Sequence, residues 1–406
     1  MRRVVITGMG IYSCIGKNLE EVKNSLYNGT SGIGLAPERK ELGYFSALTG
    51  LLERPNLKGL IDRRSRLCLA EQGEYAYIAT LEAFKNAQID QHFLDTNDVG
   101  ILYGNDSSAA PIIEAIDIIR EKKKTVLVGS GSVFQSLTST VTMNLSVIFN
   151  LRGINFTVAG ACASGSHALG MAYTLIKAGM QDCILCGGAQ ETNAYSVGSF
   201  DGLSAFSTRE DEPQKASRPF DKNRDGLVPS GGAASLVVES YESAVKRGAP
   251  IIAEIIGYGF SSNGDHISVP NVAGPKQSLQ AAIRNANILP EQIKYINAHA
   301  TSTPVGDQNE AIAIAEVFEG CNPYVTSTKS LTGHEMWMAG AAEIVYSTLM
   351  MNNNFISPNL NFEEPDEASS RLNIPTQRVD IEFDTFLSNS FGFGGTNSTL
   401  IITKAN

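Results

Sequence analysis

With 406 residues, 43% of them hydrophobic and 18% charged, the chain is long enough for two or three domains of about 150 residues each around a sizeable core. A formal charge of −10 argues against generic nucleic-acid binding. No unbroken apolar run reaches the roughly 18–20 residues that span a bilayer, and 6 scattered cysteines make no disulfide framework, which points to a reducing cytoplasm. At the start, "MRRVVITGMGIYSCIG" places basic residues before an apolar run, but Thr7, Gly8 and Gly10 interrupt it, so a first strand is expected and not a signal peptide. Two basic clusters follow: Arg63, Arg64 and Arg66 in "LIDRRSRLCLAEQ", and Lys122, Lys123 and Lys124 in "IIREKKKTV". Each alone reads as a solvated face; on an acidic protein the two together are candidates for docking an acidic partner through the local field.

Ile154 to Val158 is expected as a short buried strand, and Ser164 to Ile176, rich in Ala, Leu, Met and Ile, as a helix buried all round. Cys162 falls at the turn between them. Free N–H groups and the positive end of the helix dipole favour a thiolate there, while Gly160 and Gly165 let the turn tighten and another segment approach. A free cysteine is ordinarily a small core hydrophobe; this position makes Cys162 a candidate nucleophile. Cys183 and Cys186 in "DCILCGGA" form a C-x-x-C on an expected buried strand whose side chains alternate faces. No second Cys/His pair has ligand spacing, so no metal is expected.

The chain repeats its own outline. "RRVVITGMGIYSCIG" is echoed by "IIAEIIGYGFSSNG", and the strand, small-residue turn and Ala-rich helix around Cys162 are echoed in "NPYVTSTKSLTGHEMWMAGAAEIVYSTLMMNNNFISPN". Alternating strands and helices imply two α/β halves, residues 1–250 and 251–406, with helices on both sheet faces. The longer first half carries "STREDEPQKASRPFDKNRDG", expected to cap the common core. Duplication sets the turn of Cys162 opposite the turn of His334. His299, in "INAHATSTPVGD", also follows a short apolar strand and lies among hydroxyls. One soft nucleophile with two imidazole N–H donors is a plausible set for acyl transfer.

At these residues the chain resembles the β-ketoacyl-acyl-carrier-protein synthases of the thiolase superfamily, most closely their bacterial type I members. The resemblance runs along essentially the whole chain in "RRVVITGMGI", "GACASGSHALG", "QKASRPFDKNRDGLV", "HATSTPVGD", "STKSLTGH" and "SNSFGFGGTN". It implies a thiolase-like fold with duplicated α/β halves in α-β-α-β-α layers, and a catalytic Cys162, His299 and His334 with an active-site Lys329. Asp307, Glu310 and Glu343, with Thr301, Thr303 and Asn389, would support them. Phe391, Gly392, Phe393 and Gly394 would form the oxyanion and gating loop, Phe393 giving the second oxyanion N–H, and Ser107 and Phe200 would belong to the acyl pocket. No cofactor and no metal are implied. The implied partners are acyl- and malonyl-loaded acyl-carrier protein and a second subunit, identical in a homodimer or a chain-length factor in a heterodimer.

The implied reaction is decarboxylative Claisen condensation in fatty-acid biosynthesis. The alternative is a dedicated ketosynthase of a polyene, aryl-polyene or polyketide pathway. A thiolase would carry a different Cys/His arrangement, and a non-catalytic chain-length factor would lack the nucleophile. Three departures from the family pattern stand out. Ala300 replaces a common glycine. "GHEMWMAG" puts Glu335, Met336, Trp337 and Met338 where small residues are usual, so the single tryptophan is expected either to pack in the core or a dimer contact or to reshape the pocket. Ser107 in "GNDSSAA" falls where the family sets acyl-pocket depth from across the dimer interface and, being small, is expected to leave room for a long or rigid acyl chain.

Overall fold

The computed structural model describes residues 2–405. Ten strands form its main sheet: β1 (Val4–Ser13), β2 (Val99–Gly104), β3 (Asn155–Val158), β4 (Cys183–Gln190), β5 (Gly232–Ser240), β6 (Ala253–Ser262), β7 (Tyr295–Asn297), β8 (Tyr324–Thr326), β9 (Thr385–Gly392) and β10 (Thr396–Thr403). Their spatial order is β8-β7-β9-β10-β6-β1-β5-β4-β2-β3. Counted outward from the β1/β6 seam, each side repeats one pattern: first, fifth, fourth, second and third strand of its set. The senses repeat too, with two antiparallel pairings followed by two parallel ones. Only Val4 to Ile6 and Ala253 to Ile255 join the two sides across the seam.

The core divides into three layers of helices around these strands. Helices α1 (Arg63–Cys68), α2 (Glu71–Asn86), α3 (Ala109–Lys122) and α4 (Thr140–Ile148) belong to the first side. Helices α5 (Ser164–Lys177), α6 (Ala273–Ala286), α7 (Pro304–Val317) and α8 (Ala339–Asn352) follow. Ala79, Phe84 and Leu145 of α2 and α4 pack on Ile101, Leu185 and Val237, whereas Leu279 and Ile314 of α6 and α7 pack on Ile296, Leu387 and Ile401. Between the two sides lies the pair α5 and α8, where Leu169, Ile176, Ile344 and Val345 meet Ile184, Leu236, Phe386 and Leu400. The two-residue period of β4 sends Cys183 and Leu185 to the outer layer and Ile184 and Cys186 to the central one.

The Gly-x-Gly echo has a packing cause. A Cβ on Gly10 would lie 2.0 Å from the carbonyl oxygen of Ala79 in α2, and one on Gly259 would lie 2.2 Å from that of Ser278 in α6. Each outer helix therefore rests directly on the backbone of its strand.

Two expectations about burial are corrected. The strand β3 is not buried: it is the sheet's edge, bonded only to β2, with Phe156 60% exposed. The helix α5 buries most of its surface, as does α8, but Met171 and Thr174 are exposed beside that edge. Leu137 and Val147 extend the same apolar surface, and α3 buries no residue while showing Ile112, Ile116 and Ile119 along one face. No helix among the described residues is long and apolar enough to cross a membrane.

Candidate active site

Cys162 sits in a single helical turn, Ala161–Ala163, between β3 and α5. Ala161 has φ +46°, a left-handed conformation that a non-glycine residue holds only under constraint. Three hydrogen bonds supply it: Ala161 N donates to Asp106 Oδ2 (2.9 Å), Gly160 N to Ser164 Oγ (2.9 Å), and Ser164 Oγ to the Ala161 carbonyl (2.6 Å). The backbone N–H groups of Cys162 and Phe393 both act on the thiol, as does the Lys329 ammonium, yet burial outweighs them and pushes the thiol up to about 12. The turn's dipole thus does not produce a resting thiolate, contrary to the sequence expectation, because the buried sulfur has lost its water.

His334 reaches the thiol from the opposite side. Its backbone is pinned by His334 N donating to the Val228 carbonyl (2.7 Å) and Ser230 N donating to the His334 carbonyl (2.9 Å), and Nε2 lies 3.0 Å from Cys162 Sγ. The His299 ring stands edge-on to it, centroids 5.3 Å apart. Cys162 Sγ and one ring nitrogen from each imidazole fall within 4.8 Å of one another. Such a trio could hold a soft divalent ion, but the nearby Lys329 ammonium opposes one. Burial first, and Lys329 second, hold both imidazoles well below their ordinary value of 6.5, so both are neutral.

The turn carrying His299 is shaped by two buried carboxylates from the first turns of α7. Glu310 accepts from His299 N (2.9 Å), Ala300 N (2.7 Å) and Asn389 Nδ2 (3.0 Å). Asp307 accepts from Thr301 N (2.9 Å), Ser302 N (3.2 Å) and Phe220 N (2.9 Å), and Arg224 lies 3.8 Å away. Burial raises Asp307 to about 6 and Glu310 to about 7. Positive φ falls on Ser302 and not on Ala300, so alanine fits where a glycine was expected. Lys329, fully enclosed, pairs with Glu343 of α8, whose carboxyl burial lifts to about 7.

The segment after β9 closes over this site. A Cβ on Gly392 would lie 2.8 Å from the Gly160 carbonyl, so the loop lies tight against the cysteine turn. Gly394 has φ +79°, and its N–H donates to the Ile267 carbonyl (2.7 Å). Phe391 packs edge-on to His299 at 5.8 Å, and Phe393 stacks on Phe200 at 5.9 Å. A cavity of about 410 Å³ opens here, lined by Cys162, His299, His334, Thr301, Thr303, Phe200, Phe391 and Phe393 among others.

Some expected residues lie elsewhere. Ser107, expected to act from across a dimer interface, does not line this cavity within one subunit; its hydroxyl accepts a hydrogen bond from Trp337 Nε1 (3.1 Å). Arg63 and Arg64 on α1 and Lys122, Lys123 and Lys124 at the end of α3 are exposed, Arg66 is half-buried, and none of the six lines the cavity. Sequence reasoning missed Asp106, and it marked Glu335 only as a departure from small residues; Glu335 is an enclosed carboxyl bonded by Ser13 Oγ (2.8 Å) and Tyr346 OH (2.8 Å). It read the polar run before β5 only as a cap. There Arg224 donates to the carbonyls of Thr303 (3.0 Å) and Pro304 (2.6 Å), tying the cap to the His299 turn. The alternation of Arg218, Asp221 and Arg224 was its one visible signal.

Comparison with known proteins agrees with this geometry. The chain matches the β-ketoacyl synthase N-terminal domain over residues 1–244 and the C-terminal domain over 252–363. It is 41% identical to 3-oxoacyl-[acyl-carrier-protein] synthase 1 of Haemophilus influenzae over the full length of both chains. A solved β-ketoacyl synthase from Burkholderia phymatum superposes with a TM-score of 0.95 at 35% identity, covering all of both chains. A type II polyketide synthase ketosynthase, solved in complex with its acyl-carrier protein, superposes at 0.90 with 29% identity, also covering all of both chains. Both domains of one enzyme family thus follow each other in order along this single chain, which belongs to the β-ketoacyl synthases.

Proposed function

We propose that the protein condenses an acyl group held on Cys162 with malonyl-acyl-carrier protein, releasing carbon dioxide and giving a β-ketoacyl-carrier protein two carbons longer, in fatty-acid biosynthesis. The observation that carries this is the meeting of one thiol and two neutral imidazoles, 3.0 Å apart at the closest, at the inner end of a cavity under a backbone N–H. Cys162 sulfur attacks the acyl thioester carbonyl, its proton leaves with the departing carrier thiol, and the N–H groups of Cys162 and Phe393 hold the tetrahedral oxyanion. Malonyl thioester then takes the carrier's place. Its carboxylate carbon–carbon bond breaks to carbon dioxide, and the electron pair moves into an enolate whose oxygen accepts from the His299 and His334 N–H groups. The enolate carbon attacks the acyl carbonyl, the carbon–sulfur bond breaks, and the released Cys162 thiolate takes up one proton from solvent. Lys329 touches no substrate atom in this scheme: burial first, and its charge second, keep the imidazoles uncharged.

The 41% identity to a 3-oxoacyl-carrier-protein synthase, against 29% to the polyketide ketosynthase, favours fatty-acid synthesis over a specialised pathway. The acyl-carrier protein is the partner we assign. Its acidic surface would meet Arg63, Arg64, Arg66, Lys122, Lys123 and Lys124; reversing Arg63, Lys123 and Lys124 together is expected to raise its KM by about tenfold at low ionic strength, and an unchanged KM moves the dock elsewhere. For the second subunit we assign an identical copy, seated on the exposed edge of β3 and the apolar face of α3. A reducing compartment such as the cytoplasm suits six free cysteines.

The test is to incubate the protein with acyl-carrier protein and map the adduct by peptide mass. Acylation on Cys162 is expected, and acylation on Cys183, Cys186 or Ser164 refutes the assignment. His299→Ala and His334→Ala are expected to keep acyl transfer while losing malonyl decarboxylation by about 100- to 1,000-fold.

A further inference from the structure

We infer that Trp337 closes the acyl site beyond Cys162, so that the enzyme loads short acyl groups from the carrier protein and excludes long ones; the inference rests on Cys162 being the acylated residue. Cys162 lines the cavity together with His299 and His334. Cys162 shares one apolar cluster with Met336, Trp337, Val197, Phe206 and Leu227, all of them buried; Cys162 and Leu227 border the cavity, whereas Met336, Trp337, Val197 and Phe206 do not. During condensation the open arm of the cavity must take the malonyl thioester, so the acyl chain on Cys162 has to point away from it, toward the indole.

The main chain at Trp337 cannot yield. Its carbonyl oxygen lies where a Cβ on Gly188 would be 2.7 Å away and one on Gly165 3.0 Å away, so the segment is seated against the bare backbone of β4 and α5. What remains movable is the side chain. Its one polar atom, Nε1, is tied to Ser107 Oγ at 3.1 Å, and its ring leans on Phe200 at 6.3 Å. With that side of the sulfur filled, every added methylene must displace a buried ring or break its hydrogen bond. A hydrophobic pocket discriminates one surplus methylene by about 10-fold or more, so several compound.

The experiment follows acyl-enzyme formation by intact mass with acetyl-, butyryl-, hexanoyl- and decanoyl-acyl-carrier protein. Wild-type protein is expected to load acetyl and butyryl groups and to load decanoyl more slowly by about tenfold or more. Trp337→Ala is expected to raise the decanoyl-to-acetyl rate ratio by about tenfold, and Ser107→Ala, which leaves the ring but removes its anchor, to raise it by less. Should Trp337→Ala fail to fold, the ratio in Ser107→Ala decides. Equal loading of decanoyl and acetyl by wild type, or a ratio unmoved in the folded variants, overturns the inference. Failure to load any chain length on Cys162 instead removes the acyl-cysteine reading, and this inference falls with it.

Discussion

His334 Nε2 and Cys162 Sγ meet at 3.0 Å from positions 172 residues apart, and both groups are uncharged. Burial pushes the thiol up to about 12 and the imidazole well below 6.5, so the resting pair is thiol and neutral imidazole, not thiolate and imidazolium. Alkylation of Cys162 by iodoacetamide requires the thiolate. Its rate is therefore expected to climb about tenfold per pH unit from neutrality through about pH 9 with no plateau. A plateau near pH 7 would show a preformed ion pair and sink this description of the site.

Lys329 is the nearest cation to both imidazoles and is enclosed together with Glu343. After burial, its charge is the next cause of their lowered proton affinity. In the proposed mechanism decarboxylation of malonyl-carrier protein uses neutral imidazoles, and it is expected to be lost as pH falls through their titration, which in wild type lies well below 6.5. Replacing the pair together, Lys329→Met with Glu343→Gln, removes the cation without leaving a buried charge alone. The acid limb of the pH–rate profile is then expected to move to higher pH. A limb that stays in place assigns the lowering to burial alone.

Glu335, next to His334 in sequence, faces away from the cavity toward β1, and burial raises its carboxyl to about 8. Its folded-state proton affinity exceeds that of the unfolded chain, about 4.3. The folded state therefore binds the extra proton, and the associated stability is complete at low pH and lost as pH rises through about 8. Glu335→Gln keeps the shape and cannot ionise. Its Tm is expected to match wild type below about pH 4 and to exceed it progressively as pH rises to about 8, with a constant gap above, by about 2–4 °C for each kcal/mol of ionisation cost removed. Parallel Tm curves would place Glu335 as a charged, fully satisfied carboxylate.

What the sequence made legible was local or repeated. The strand-to-helix turn at Cys162 and the Gly-x-Gly of β1 and β6 are short-range patterns, and the internal echo set His334 opposite the cysteine. Illegible features depend on a neighbour far along the chain. Ser107 looks like free space until Trp337, 230 residues later, bonds to it. Glu335 shows in the sequence only as a departure from small residues; its partner Ser13 lies 322 residues earlier. A run such as Ile154 to Val158 has the same apolar look in the middle of a sheet as at its edge, because hydropathy reports what a strand could bury and not what lies beside it. Likewise a helix dipole is visible in the sequence, whereas the desolvation that overrides it at Cys162 is a property of the packed interior.

That edge carries the last prediction. Among the described residues β3 has no strand partner on one side, and its own Phe156, 60% exposed, stands with Val147, 77% exposed, and with Leu137 and Met171. An open apolar strand edge invites pairing and aggregation unless something covers it. A second copy can do so with the same strand, since a two-fold axis lays two identical edges antiparallel and lets each ring meet its own counterpart. Wild-type protein is therefore expected to sediment as a dimer at micromolar concentration. Phe156→Glu would bury two carboxylates against each other across that axis, so the variant is expected to sediment as a monomer with an unchanged circular dichroism spectrum. A monomeric wild type, or a Phe156→Glu variant that stays dimeric, takes the second copy off this edge.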